Sequence, residues 1–131
     1  MGLEMTVLLA DDDRDTREMY GSYLQRAGVD VITVTNGKRA IAEAKAHHPD
    51  VIVMDLSMPG MDGFTAARRL KATPETADIP VLALTGAMTA REAAHEAGCD
   101  GYLAKPCLPD LLLWEVRALF VTPLDASAPR A

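Results

Sequence analysis

Cysteine is scarce in this chain: two among 131 residues, Cys99 and Cys107. Two thiols are too few for a disulfide framework. They also flank an apolar run, Gly101 to Ala104, that reads as a strand. Extended chain would hold them roughly 20 Å or more apart, whereas a disulfide needs Cα atoms within about 7 Å. Reduced thiols in a cytoplasmic protein are the expectation. Neither the spacing nor neighbouring histidines suit a zinc site. Long apolar runs are absent too, since none approaches the ~20 residues of a membrane helix. The opening residues lack the basic start and apolar stretch of a secretory signal. Met1-Gly2 with Thr6 fits the short myristoylation pattern, but Thr6 also opens a good strand. Basic residues are outnumbered, thirteen Lys and Arg against nineteen Asp and Glu, for a net charge of −6. That balance argues against a nucleic-acid surface and against adhesion to an anionic membrane.

What is present is an alternation. Short apolar runs occupy Thr6–Ala10, Val29–Val34, Val51–Met54, Val81–Leu84 and Gly101–Ala104. Several are nearly continuous in Val, Ile and Leu, as strands buried on both faces require. Helical spacing fills the intervals at about Asp15–Ala27, Gly37–His47, Gly63–Ala72 and Thr89–Ala97, with a last helix near Pro109–Phe120. Gly28 and Gly98 stand where helices end. Asp62 and one of Asp13 and Asp15 suit N-caps, Thr89 with Glu92 makes a capping box, and Pro109 suits a first helical turn. The domain is expected over residues 1–121. Residues 122–131, rich in Pro, Ala and Ser, read as a loose tail.

Five strands alternating with five helices predict an α/β fold, a parallel sheet covered on both faces. In such sheets the ligand site lies at the carboxyl ends of the strands. There stand Asp11-Asp12-Asp13, Asp55, Thr85 with Gly86-Ala87, and Lys105-Pro106. Each alone has an ordinary reading as a cap, a solvated charge or a structural hydroxyl. Together they gather carboxylates that raise one another's pKa unless a hard cation intervenes. Mg²⁺ suits a few carboxylates plus phosphate oxygens. A carboxylate can then act as a nucleophile and form an aspartyl phosphate, with Lys105 as balancing cation and Thr85 as hydroxyl donor.

These residues resemble the receiver domain of two-component response regulators. The matching pieces are Val7 to Asp12, Asp55 to Gly63, Ala83 to Gly86 and Tyr102 to Pro106, in family order over about Thr6 to Phe120. The resemblance implies a flavodoxin-like doubly wound sheet of five parallel strands in the order 2-1-3-4-5 with five helices. It implies Asp55 as phosphoacceptor and a Mg²⁺ site of Asp11, Asp12, Asp55 and the Ser57 backbone carbonyl. Thr85, Gly86 and Lys105 would contact the phosphoryl group, Thr85 and Tyr102 would form the conformational switch, and Ser57 and Ala87 would tune hydrolysis. The Lys105-Pro106 peptide would be cis. The implied donor is a histidine kinase or histidine phosphotransfer protein. The implied state is a monomer, or a phosphorylation-dependent dimer through the helix 4–strand 5–helix 5 face. Cys107 departs from the family, since many relatives carry an aromatic there.

Rival classes fit less well. A haloacid dehalogenase-like phosphohydrolase needs a second acid two positions after its nucleophile, and Ser57 stands there. A flavodoxin-like carrier cradles phosphate in its first loop, and Asp11-Asp12-Asp13 would repel it. A signalling receiver is therefore expected, either standing alone or excised from a longer regulator or hybrid kinase, and not itself an enzyme in the ordinary sense. On the last helix, Leu112, Val116, Leu119 and Phe120 share one face. Trp114 and Val121 point away from it, making Trp114 a candidate partner contact. His47, His48 and His95 read as surface residues, and Met54, Met58 and Met61 as packing.

Overall fold

The computed structural model describes residues 5–58, 60–86 and 90–127. Ala87, the Thr89 cap and the Met1-Gly2 motif lie outside them. The elements alternate along the chain: β1 (Thr6–Ala10), α1 (Arg14–Arg26), β2 (Asp30–Val34), α2 (Gly37–His47), β3 (Val51–Met54), α3 (Gly63–Ala72), β4 (Val81–Thr85), α4 (Ala90–Glu96), β5 (Gly101–Ala104) and α5 (Pro109–Ser127). All strand pairs are parallel, in the order β2-β1-β3-β4-β5. That is the doubly wound order expected of the sequence.

The strands' alternation divides the core in two. Leu8, Ala10, Ile52 and Met54 face one side, against Ala40 and Ala44 of α2 and Ala66, Ala67 and Leu70 of α3. Val7, Leu9, Val51, Val53, Leu82 and Leu84 face the other, against Tyr20 and Leu24 of α1 and Leu112 and Val116 of α5. Small alanines let α2 and α3 lie close on the sheet. Fully burying a Leu or Val contributes roughly 1.5–3 kcal/mol, so truncating the fully buried Leu8 to Ala costs about 2–5 kcal/mol.

Local chemistry sets the helix ends. Asp13 caps α1 by accepting from the Thr16 amide at 2.9 Å, and Asp62 caps α3 through Thr65 at 2.7 Å. Asn36 caps α2 in the same way. Gly28 follows α1 at φ +93°, a left-handed conformation that glycine adopts without strain. Helix α5 departs from expectation: its backbone continues through Ser127, past Phe120 and into the segment read as a tail. The extension crosses Pro123, which has no N–H to give to the preceding turn and at an interior position costs about 3 kcal/mol. Among the described residues, no helix is long and apolar enough to cross a membrane.

Candidate functional site

Parallel strands bring their carboxyl ends to one edge, and the expected residues meet there. β1 runs directly into Asp11, whose amide donates to the Val34 carbonyl at 3.1 Å. β3 runs into Asp55, whose amide donates to the Ala10 carbonyl at 2.9 Å. These ladder bonds continue past the strands and place the two acids side by side. Asp11 and Asp55 are buried and Asp12 is exposed, and one carboxylate oxygen from each lies within 4.8 Å of the others.

β5 delivers the cation. The Lys105 amide donates to the Thr85 carbonyl at 2.9 Å, and the Lys105-Pro106 peptide is cis, as expected. The Lys105 ammonium donates to Asp11 Oδ2 at 2.7 Å and to Asp55 Oδ2 at 3.3 Å. The other oxygens are held by backbone: Asp13 N–H donates to Asp11 Oδ1, and Ser57 N–H to Asp55 Oδ1, each at 2.9 Å. Burial pushes the Asp55 carboxyl up, and Asp11 adds to the rise, while the Ser57 amide and Lys105 oppose it. Burial would lower the Lys105 pKa, but the Asp11 hydrogen bond and both carboxylate charges outweigh it, so the net direction is upward.

Thr85 closes β4 in register with Ala104 and is fully buried. Gly86 follows, with open space where a side chain would project. Tyr102 is in register with Ala83, and the Arg91 guanidinium of α4 lies 5.0 Å from its ring centre. Ser57 is exposed beside Asp55. Trp114 sits apart from this edge, 65% exposed on α5 beside Leu111 at 43%. Cys99 and Cys107 are free thiols.

Two contacts were not legible in the sequence. Arg17 of α1 donates to the Asp11 carbonyl at 2.9 Å, and the Tyr20 hydroxyl donates to the Cys107 carbonyl at 2.8 Å. Periodicity places Tyr20 on the core face of α1 with Leu24, but nothing local names its partner.

The donor set fits a hard divalent cation. Three carboxyl groups share this edge with the Lys105 ammonium, which reaches Asp11 and Asp55. All the donors are oxygens, which suits Mg²⁺.

Comparison with known proteins agrees with this geometry. The profile of the response regulator receiver domain matches residues 7–117. The chain is 39% identical over 115 residues to the DNA-binding dual master transcriptional regulator RpaA of Synechocystis, covering 86% of this chain and 48% of that one. A putative response regulator from Chloroflexus aurantiacus superposes with a TM-score of 0.86 at 35% identity, covering 91% of this chain and 99% of that one. The receiver domain of a Pseudomonas aeruginosa sensor histidine kinase superposes at 0.84 with 28% identity, covering 90% and 98%, and holds a magnesium ion in its active site cleft. The chain spans about half the length of the curated relatives it matches.

Proposed function

The chain belongs to the response regulator receiver domain family, and from that premise we propose that Asp55 is its phosphoacceptor. A carboxylate oxygen of Asp55 attacks the phosphorus of a phosphohistidine on a histidine kinase or phosphotransfer protein. The P–N bond breaks, the phosphoryl group becomes an aspartyl phosphate, and the imidazole leaves with a proton from solvent. The observation that carries this reading is Lys105 bridging Asp11 and Asp55. A cation already placed on the acceptor can follow the new charge onto the phosphoryl oxygens, which is most of what such transfers need from a protein.

Asp11, Asp12, Asp55 and the Ser57 carbonyl would hold Mg²⁺, whose part is to neutralise the carboxylates and the phosphoryl oxygens. Thr85 and Gly86 complete the phosphoryl contacts, and the small residues Ser57 and Ala87 set how fast water removes the group. Thr85 moves toward the phosphoryl group, and Tyr102 turns into the space it leaves. Shifting such an equilibrium from 1:99 to 99:1 takes about 5.5 kcal/mol of differential binding, within reach of a few charge-assisted hydrogen bonds.

The receiver unit is residues 1–121. Its partners are proteins rather than nucleic acid, in keeping with the net charge of −6. The exposed Trp114 offers them a contact, and a phosphorylation-dependent dimer would use α4, β5 and α5. We place its action in the cytoplasm, with Cys99 and Cys107 reduced. A second reading, that the receiver acts inside a longer regulator, is favoured by relatives about twice its length.

The test is Mg²⁺-dependent labelling with acetyl phosphate. The wild-type chain should be labelled and Asp55→Asn should not. Equal labelling of both overturns the assignment.

A further inference from the structure

Helix α1 touches both halves of the acidic edge. Arg17 and Tyr20 stand three residues apart, so their side chains share one side of the helix. Arg17 fixes the carbonyl of Asp11, the first acid of the cluster, at 2.9 Å. Tyr20 fixes the carbonyl of Cys107, two residues beyond Lys105, at 2.8 Å from eighty-seven positions away. A single rigid element therefore spans the acid loop and the lysine turn, whose charges meet at 2.7 Å.

Tyr20 is 2% exposed and belongs to the same buried cluster as Leu24, Leu112 and Val116. Its ring is held on several sides, so its hydroxyl has little freedom to choose another acceptor. A buried hydroxyl without a partner is costly, and the Cys107 carbonyl is the short contact. The Cys107 sulfur is farther, at 3.6 Å. The turn itself is short of donors, because Pro106 brings no N–H. After the Lys-Pro pair this chain has a small thiol, and an aromatic from α1 reaches across to its backbone carbonyl.

We propose that Tyr20 is a positioning residue for phosphoryl transfer. Its hydroxyl anchors the Cys107 carbonyl and so holds the Lys105 ammonium between Asp11 and Asp55. This rests on the reading of Asp55 as the acceptor. Tyr20 touches neither the acids nor the phosphoryl group, and it acts only through the lysine turn.

The experiment is a mutant cycle read by the initial rate of acetyl phosphate labelling at saturating Mg²⁺, with melting curves showing each variant folded at the assay temperature. Tyr20→Phe keeps the ring and removes the hydroxyl. It should slow labelling roughly 3–10-fold, as loss of one anchoring hydrogen bond predicts, and half-saturation by Mg²⁺ should not move to higher concentration, since a less firmly held Lys105 competes less with the metal for Asp11. In a Lys105→Ala background the same change should cost nothing further, because the group it positions is gone. Cys107→Ala keeps the carbonyl and should label like the wild type. An unchanged rate in folded Tyr20→Phe overturns the proposal. So do equal fractional losses in both backgrounds, or a Cys107→Ala rate as low as that of Tyr20→Phe. A wild-type chain that takes no label overturns the acceptor reading and this inference with it, whereas a labelled wild type with an indifferent Tyr20→Phe overturns this inference alone.

Discussion

Lys105 and Asp11, ninety-four positions apart, meet at 2.7 Å, closer than the 3.3 Å between Lys105 and Asp55. The ammonium therefore leans toward Asp11, a proposed metal ligand, rather than toward the proposed acceptor. A divalent cation on Asp11 must compete with it. Lys105→Ala is expected to bind Mg²⁺ more tightly, by roughly 5–10-fold or about 1–1.4 kcal/mol, while its labelling by acetyl phosphate falls. A Mg²⁺ titration followed by calorimetry measures the first effect, and weaker binding in Lys105→Ala would contradict it.

Gly63 begins α3 where the helix crosses the end of β3. A Cβ there would collide with the Asp55 carbonyl oxygen and the Leu56 Cα, both backbone atoms that cannot swing aside. Gly63→Ala should cost about 2–4 kcal/mol in urea denaturation, and it should slow labelling by moving Asp55. A loss under about 0.5 kcal/mol, the size of an ordinary surface change, would show that α3 shifts freely.

Arg91 lies over the Tyr102 ring at 5.0 Å, a cation–π contact worth about 0.5–1 kcal/mol at an exposed site. Arg91→Ala removes this hold on the ring. Tyr102 should then leave its present rotamer roughly 2–5-fold more often, measured by fluorine NMR on fluorotyrosine-labelled protein. Arg91→Lys should lie between the two. Identical rotamer populations in all three chains would show that Arg91 does not hold the ring.

The Cys99 thiol is pushed up to about 11 from an ordinary 9.0, chiefly by burial and then by Asp100. Below pH 9 the thiol is neutral in folded and unfolded chains, and stability is unaffected. Between about 9 and 11 the unfolded chain releases the proton and the folded chain keeps it, so stability falls as pH rises. Urea midpoints at pH 8 and pH 10.5 should show that loss in the wild type and a smaller one in Cys99→Ala. The same thiol should react with iodoacetamide more slowly at pH 8 in the folded chain than in the urea-unfolded one. Equal alkaline losses in both chains would rule out Cys99 as their source.

Elements with a strong local signal were legible in the sequence. Val51 to Met54 is a strand because four apolar residues in a row suit a strand buried on both faces. Asp13 and Asp62 end up as caps because a side-chain oxygen before a helix satisfies free amides in any context. The edge of Asp11, Asp12, Asp55, Thr85 and Lys105 was legible because the parallel sheet sends successive strand ends to one place. The end of α5 was not, since Pro123 reads as a helix stop and nothing local in the sequence signals that the backbone continues past it to Ser127. Nor were the contacts of Arg17, Tyr20 and Arg91. Each joins a helix to a distant loop or strand, and no periodicity within one element encodes its partner in another.

The strand order carries a consequence for how the chain is made. Asp11 and Asp55 come from the adjacent strands β1 and β3, whereas Lys105 follows β5 at the far edge of the sheet. A ribosome releases the acids first and the ammonium last. A nascent chain folded only through β4 would hold its carboxylates in mutual repulsion with no lysine to offset them. Docking of β5 relieves that repulsion and completes the edge in one step. Synthesis order thus makes the complete charge set of this edge a late event, reserved for chains whose sheet is finished.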